Sequence, residues 1–572
     1  MQGQLYRWEL HLPPSSSSEG AEEASLLEKC LVRRGFSRGF SNENAARDFL
    51  EPRLAQLSDP FELPAMEAAV QRLWQARDAQ EQILLYGDYD VDGITATAIL
   101  YESLAALGWK VSYFLPNRLE DGYGLNQASL ERILKERAFK LLVAIDCGTN
   151  SAQTTDWLKS QAIDVIVLDH HQIGERLAAC EALVNPRLSK NSADACLCSA
   201  ALAFKLAHAL VKYGRKKGCQ RALQHDVRAS LDLAALGIVA DVAPLQGENR
   251  ILVHAGLLRL NQAVRPGIAA LIKNTKLRNP LRAADLSFQL VPRLNASGRL
   301  EAAEISLKLL LEEAPAQADS LALLLETQNE KRKTLERQII AEVTKALQSV
   351  EVPPSPGIIL QANDQWHVGV IGVVAARVCQ VYHRPTIILG RDGQEWRGSG
   401  RSISGFDLAA ALQRCDDLLL RHGGHAQAAG LSVANNNVAA LRERLDALFR
   451  DGVSQEDLRP KLDLDGEAAL ADLSLDRIAE LRKLEPTGQG NPPAQFLTRN
   501  LSLRGNPQRV GRESQHATLL VSDGAVVHRA IWFNCKERKL PEGKFHLCHT
   551  PEVHTYEGKS FPQLKVIDWV SA

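Results

Sequence analysis

The chain has 572 residues, 45% hydrophobic and 24% charged, enough apolar content for several packed domains. Its 67 Lys and Arg nearly balance 68 Asp and Glu, so nucleic-acid binding would need local basic patches rather than a whole-chain field. Ten cysteines without a CxxC pair argue against a disulfide framework or a zinc ribbon, and no apolar run reaches spanning length, which leaves the cytoplasm as the expected location and no membrane contact.

Residues 13–25, PPSSSSEGAEEAS, lack the apolar content to pack and predict a loose lead-in. From Phe40 to Gln80, helical periodicity broken by prolines predicts a small helical cap, so 1–80 is read as lead-in and cap.

The stretch Ile83–Leu100, ILLYGDYDVDGITATAIL, follows. Ile83 to Leu85 predict a buried strand, Gly93 a tight turn, and Thr95 to Leu100 the start of a helix. Asp88, Asp90 and Asp92 then stand at the carboxyl end of a strand, where open α/β sheets place ligands. Carboxylates so close repel one another unless divalent cations or solvent compensate. A calcium loop does not fit, because a helix follows in place of the glutamate ligand.

Further strands are predicted at 111–116, 141–146, 165–171 and 182–186, separated by helix-length segments. The alternation predicts an α/β domain over 81–313 with a doubly wound parallel sheet. Strand ends supply Asp146 and Asp169-His170-His171, and the helix 231–245 supplies Asp241. Singly, these can be a helix cap or a turn residue. Together they match the oxygen-rich ligand set of a dinuclear Mn²⁺ or Mg²⁺ site.

YGDYDVDG (86–93), PNRLEDGYGL (116–125), IDCGTNS (145–151), LDHH (168–171), GIVADVAPL (237–245), RPGI (265–268) and PRLNASGRL (292–300) resemble successive motifs of the DHH phosphoesterases. WHVGVIG (366–372), GSGRSISGFDL (398–408) and GGHAQAAGL (423–431) resemble the DHH-associated domain. Within that superfamily the pattern is similar to the RecJ type, single-strand-specific exonucleases that run 5′ to 3′. The resemblance implies two metal ions, one held by Asp90 and Asp146 with Asp88 nearby, the other by Asp92, Asp146, His170 and Asp241. It makes Asp146, Asp169 and His171 the catalytic set, with Asp169 supporting the neighbouring histidine and His171 on the scissile phosphate. Arg118, Arg299, Ser399, Arg401, Gly424 and His425 are the implied phosphate contacts. Two positions depart from the pattern: Cys147 stands where many relatives carry Asn, and ACLCSAALAF (195–204) replaces a more glycine-rich segment.

Residues 314–350 predict a connector helix with apolar ends and a polar middle, TQNEKRK, that crosses solvent between two domains. A second α/β unit over 351–452 carries the glycine-rich GSGRS and HGGH, whose backbone is suited to approach phosphate, with Arg401 as a bidentate fork. Five strands and a helix over 453–572 predict an OB-type barrel. Its candidates for holding a strand are Trp532, Phe533, Tyr556, Phe561, Arg499, Arg504, Arg509 and Arg512.

The expected function is metal-dependent 5′→3′ hydrolysis of single-stranded DNA, in repair and recombination, with a single-strand-binding protein and a helicase as candidate partners. The alternatives are an oligoribonuclease or cyclic-dinucleotide phosphodiesterase of the same superfamily, and a non-catalytic replication scaffold.

Overall fold

The computed structural model describes residues 1–10, 24–36, 43–118, 121–122, 124–189, 194–348, 357–454, 458–536 and 538–572. Most of the Ser/Glu-rich run, Leu119, Glu120 and Tyr123 of the second motif, and the segment 351–356 lie outside them.

The described part of the amino terminus is packed, not loose. Arg7–Leu10 (β1) runs parallel to Lys461–Leu464, and Leu26–Arg33 (α1) buries Leu26, Leu27, Cys30 and Leu31 in the core of the carboxy-terminal barrel. The Asp568 carboxylate accepts the Leu5 and Tyr6 N–H groups and the Trp8 indole N–H, the last at 2.9 Å. Composition hid this, because the Ser/Glu run dilutes the apolar residues on either side of it. Glu43–Leu50 and Met66–Asp78 are helices ahead of the first sheet.

Gln82–Tyr86 (β2), Lys110–Phe114 (β3), Leu141–Ile145 (β4), Asp164–Leu168 (β5) and Ala182–Val184 (β6) pair in parallel in the order β3-β2-β4-β5-β6. Alternate residues feed two cores: Ile83, Leu85, Leu141 and Val143 on one face, Leu84, Tyr86, Leu142 and Ala144 on the other. Strand order reverses between β2 and β4, and at such a reversal the crevice beyond the strand ends is the ligand site. Asp88 follows β2 there, and Asp146 follows β4.

Val91–Leu107 (α2) packs against Ser199–Lys216 (α3) and Leu231–Ala240 (α4). Arg265 of RPGI pins two of these helices, reaching Glu102 of α2 at 2.5 Å and Asp232 of α4 at 3.1 Å. This ion pair fixes Asp241, at the end of α4, against the helix that carries Asp92.

Val291–Leu300 (α5) packs on Pro315–Gln348 (α6), whose 34 residues span roughly 50 Å. The polar middle of α6 does not cross solvent. Gln328, Asn329 and Arg332 are buried; Gln328 donates to Glu301 at 2.6 Å, Glu326 pairs with Arg293 of α5, and Arg332 pairs with Glu336 at 2.7 Å. Partners make a polar face buriable, and apolar periodicity does not reveal them. Leu323 and Leu324 are exposed instead.

Ile359–Asn363 (β7), Thr386–Asp392 (β8), Glu395–Arg401 (β9), Leu419–His425 (β10) and Ala428–Val433 (β11) form a second sheet in the order β10-β11-β9-β8-β7. Only β7 and β8 are parallel, and Ile371–Tyr382 (α7) packs on the sheet. GSGR and HGGH are therefore strand, not loop. Gly398 and Gly400 make room for apolar neighbours: a Cβ would lie 2.5 Å from Leu389 in the first case and 2.6 Å from Leu408 in the second.

Lys461–Leu464 (β12) pairs with β1, and Gly466–Glu467 (β13) with Phe496–Leu503 (β14). Gln508–Val510 (β15), His516–Ser522 (β16), Val527–Trp532 (β17), Phe545–Tyr556 (β18) and Lys559–Ser571 (β19) complete the sheet. β14 pairs with both β18 and β16, which closes the barrel β14-β18-β19-β17-β16. Trp532 is barrel core, Arg499 pairs with Glu467, and Arg509 donates to the Cys535 and Arg538 carbonyls, so these three are structural. Phe533 and Tyr556 are exposed, and Phe561 packs on His554.

Candidate metal centre

Asp90 caps α2, its carboxylate accepting the Asp92 and Gly93 N–H groups at 2.9 and 3.2 Å. Asp92 consequently lies in the first helical turn rather than at a strand end. Gly93 serves close approach rather than a turn, since a Cβ there would lie 2.8 Å from the Asp88 backbone. Asp146 leaves β4 with φ 63°, a left-handed conformation rare for a residue with a side chain. His170 Nε2 stands 3.3 Å from Asp146 Oδ1, 3.8 Å from Asp92 Oδ2 and 3.9 Å from Asp241 Oδ1.

Three sets of donor atoms each fit within 4.8 Å: Asp88, Asp90 and Asp146; Asp92, His170 and Asp241; Asp146, His170 and His171. Asp146 thus joins the first set to the third, and His170 the third to the second. Burial and then Asp90 push the Asp88 carboxyl up. Burial followed by Asp92 and Asp90 does the same to Asp146. Burial also raises Asp92, against the pull of His170, and burial with Asp92 pushes Asp241 up to about 7. Asp88 Oδ1 is buried without a hydrogen-bond partner among the described residues. A crowded set of five carboxylates and two imidazoles, held at such cost to its ionised form, fits hard divalent cations such as Mn²⁺ or Mg²⁺.

Asp169 behaves differently. Burial pushes its carboxyl up, but the His171 hydrogen bond and charge, with Thr149, outweigh this and hold it well below the carboxylate range. His171 Nδ1 lies 2.7 Å from Asp169 Oδ1, and the Thr149 N–H donates to Asp169 Oδ2 at 3.0 Å. Asn185 donates to Thr149 Oγ1 and to the His171 carbonyl, both at 3.0 Å. The histidine is thereby fixed at ring and backbone.

Arginines face this acidic floor. The half-buried Arg299 guanidinium is pushed down to about 9, first by desolvation and then by Arg118, Arg332 and Arg401, with Asp90 opposing. Arg401 is lowered by burial and by Arg118, and donates to Ser399 Oγ at 3.2 Å. Arg118 lies over the Tyr89 ring, 5.3 Å from its centroid. Among the described residues no carboxylate comes within ion-pair distance of Arg118, Arg299 or Arg401, which leaves three positive charges to be met by an anion. The His425 imidazole is lowered by burial, Arg401 and His171, so β10 reaches the side of the centre where His171 stands. Gly424, at φ 141°, serves strand pairing, since a Cβ would lie 2.4 Å from the Ala428 carbonyl oxygen.

The DHH family, N-terminal domain, matches residues 82–238, the DHHA1 domain 355–451 and the RecJ OB domain 464–568. The chain is 35% identical to the single-stranded-DNA-specific exonuclease RecJ of Dickeya dadantii (strain 3937), covering 95% of either chain. The chain belongs to the RecJ family. It is 34% identical to RecJ of Escherichia coli (strain K12) over 83% of each. The crystal structure of RecJ in complex with Mn²⁺ from Thermus thermophilus is similar with a TM-score of 0.82 at 27% identity, 99% of this chain and 80% of that one being covered. The Mg²⁺ complex of that RecJ gives 0.76 at 26% identity, with 99% and 79% covered.

Within this RecJ architecture several residues bear on the centre without having stood out in the sequence. Asn295 and Thr149 lie inside two of the motifs, Asn185 in the strand segment 182–186 and Arg332 in the connector helix, and none has chemistry that marks it in isolation. Ser199 lies in the departing segment 195–204, and that departure was its only signal. Cys147, the other departure, packs with Tyr86 and Ala144 in the apolar cluster on the far face of β4, where burial raises its thiol.

Proposed function

We propose that this RecJ-family chain is a metal-dependent 5′→3′ exonuclease that hydrolyses phosphodiester bonds of single-stranded DNA in repair and recombination. The observation that carries the reading is the linked series of donor sets, joined through Asp146 and His170, lying opposite arginines that pair with no carboxylate among the described residues. Asp88, Asp90 and Asp146 would hold one cation, and Asp146, Asp92, His170 and Asp241 the other. Bound there, the pair supplies Lewis-acid stabilisation of phosphoryl oxygens and an activated water at neutral pH.

The remaining steps belong to the chain. His171, oriented through its Nδ1 by Asp169, is the residue assigned to the scissile phosphate. Arg118, Arg299 and Arg401, with Ser399, take the phosphates next to it, and a guanidinium fork suits a terminal phosphate best. Contacts of this kind carry no base code, so sequence preference is expected to be weak. The barrel, through Phe533 and Tyr556, holds the strand beyond the cleft by stacking. Unpaired DNA arises by unwinding, which makes a helicase and a single-strand-binding protein the proposed partners. Ten free cysteines support a reducing cytoplasm as the compartment, and among the described residues no helix is long and apolar enough to cross a membrane.

The test uses single- and double-stranded DNA and RNA labelled at either end, with Mn²⁺, Mg²⁺ or chelator. Mononucleotides are expected first from the 5′ end of single-stranded DNA, and none with chelator. Internal cuts, or release that ignores the chelator, would contradict the reading.

A further inference from the structure

Ser199 belongs to none of the three donor sets, yet its side chain touches the residue that links two of them. It is fully buried at the first turn of α3, and its hydroxyl donates to Asp146 Oδ1 at 2.9 Å. The same turn grips Asp92: the Ser199 N–H donates to Oδ2 at 2.8 Å and the Ala200 N–H to Oδ1 at 2.9 Å. Cys198, the residue before α3, makes no side-chain cap, so Asp92 satisfies the open end of the helix from across the fold. The helix itself is anchored, with Ala200 to Ala207 wholly buried. Its donors are therefore fixed points against which the two carboxylates are oriented.

Asp146 needs such a fixed point. The carboxylate torsion is soft, and Asp92, Asp90 and Asp88 all repel it. A carboxylate that serves two cations must hold its plane so that both oxygens are usable at once. Cys147, next in the chain, packs into the apolar cluster with Tyr86 and Ala144. His170 Nε2, 3.3 Å from the same Oδ1, is itself in two donor sets. Among the described residues the other donor to that oxygen is the Ser199 hydroxyl.

We propose that Ser199 is a positioning residue for the cation pair: its hydroxyl fixes the Asp146 carboxylate so that the Asp88–Asp90 side and the Asp92–His170–Asp241 side close on it together. This rests on the two-cation reading above. Without the hydroxyl, Asp146 turns toward one side, and the second cation is held poorly while fold and strand capture are kept.

The experiment titrates metal-depleted full-length protein with Mn²⁺ and reads free ion by electron paramagnetic resonance, for the native chain, Ser199→Ala, Ser199→Thr and Ser199→Cys. Ser199→Ala should keep the native circular dichroism and the first equivalent of Mn²⁺, and should bind the second about 10- to 100-fold more weakly. The Mn²⁺ concentration for half-maximal nuclease activity should rise by the same factor, with KM for a single strand unchanged. Ser199→Thr, which keeps the hydroxyl, should restore most of the affinity. Ser199→Cys, a weak donor of similar shape, should fall between, and it keeps the comparison decisive if Thr or Ala does not fold. A Ser199→Ala isotherm that superimposes on the native one overturns the proposal while leaving the two-cation reading intact. A native chain that binds fewer than two Mn²⁺ overturns both.

Discussion

The Asn295 side-chain oxygen accepts the Val91 backbone N–H at 3.2 Å. This bond ties α5, which carries Arg299, to the first turn of α2, which carries Asp92. A second tie is steric: a Cβ on Gly298 would lie 2.5 Å from the Tyr89 carbonyl oxygen. Arg299 and the acidic floor are thus spaced by contacts of one helix on one loop.

Asn295→Ala leaves the Val91 N–H without its acceptor, at a cost of about 1–3 kcal/mol if water does not replace it. The expected result is a kcat roughly tenfold lower on single-stranded DNA, the rate equivalent of about 1.4 kcal/mol, with a small loss of thermal stability. Steady-state kinetics on folded protein decide it, and a native kcat would show that the spacing does not depend on this bond.

Arg401→Ala should weaken use of 5′-phosphorylated strands more than of 5′-hydroxyl strands. Removing a charge-assisted bond to a terminal phosphate costs about 1.5–3 kcal/mol, roughly ten- to a hundredfold in kcat/KM. Mn²⁺ binding should be unchanged. Equal losses on both substrates would make Arg401 a general backbone contact or a structural residue.

Folding raises the carboxyl pKa of Asp88, Asp92 and Asp146, and that of Asp241 from 3.8 to about 7. Between those values the folded, metal-free chain holds more protons than the unfolded one, so this site's contribution to stability falls as pH rises through the window. Cations bind the ionised carboxylates and cancel the loss. The Mn²⁺-induced rise in Tm is therefore expected to be larger at about pH 8 than at about pH 5.5, and Asp241→Asn should flatten that difference. Histidines with lowered pKa, such as His549, affect both metal states alike and drop out of the comparison. A Mn²⁺ effect independent of pH would contradict the assignment.

Removing 455–572 alone should damage the core, because Arg250 donates to the Lys483, Leu484, Glu485 and Pro486 carbonyls and α1 loses the barrel it packs on. A cleaner fragment is 43–454 carrying Arg250→Met. It should fold, keep kcat on a short oligonucleotide, and show a raised KM for long strands. Its log–log salt slope should flatten by about 0.7 for each phosphate that the barrel no longer neutralises. A collapsed kcat on the short oligonucleotide with unchanged long-strand KM would assign the barrel a part in catalysis.

The sequence made the parallel sheet and its acidic rim legible because both rest on local signals: apolar runs of strand length, and aspartates placed where those runs end. Asp88, Asp90, Asp92, Asp146, His170 and Asp241 come together at that rim. What remained hidden depends on partners distant in the chain. Trp532 reads equally as a stacking platform or as core until the barrel closes around it. Gln328 reads as solvated until Glu301, just past the end of α5, stands beside it, and Arg332 until Asn329 and Glu336 of its own helix are seen to take its guanidinium. Trp8 reads as lead-in until β12 and Asp568 are in place, and α1 until the barrel core closes on it, both more than 400 residues on. Ser199 is the sharpest case, since nothing about a serine at a helix start marks it as a donor to a carboxylate 53 residues earlier.

The proposed chemistry depends above all on two cations sharing Asp146. Crystals of the native chain and of Asp146→Ala, soaked in Mn²⁺ and measured with X-rays on either side of the manganese absorption edge, test this. Two anomalous peaks are expected in the native chain, one beside Asp88, Asp90 and Asp146 and one beside Asp146, Asp92, His170 and Asp241, each about 2 Å from its ligand atoms. At least one peak, and nuclease activity with it, should be lost from the folded Asp146→Ala protein. Two peaks that survive in Asp146→Ala, or a native chain with its manganese elsewhere, would contradict the shared carboxylate.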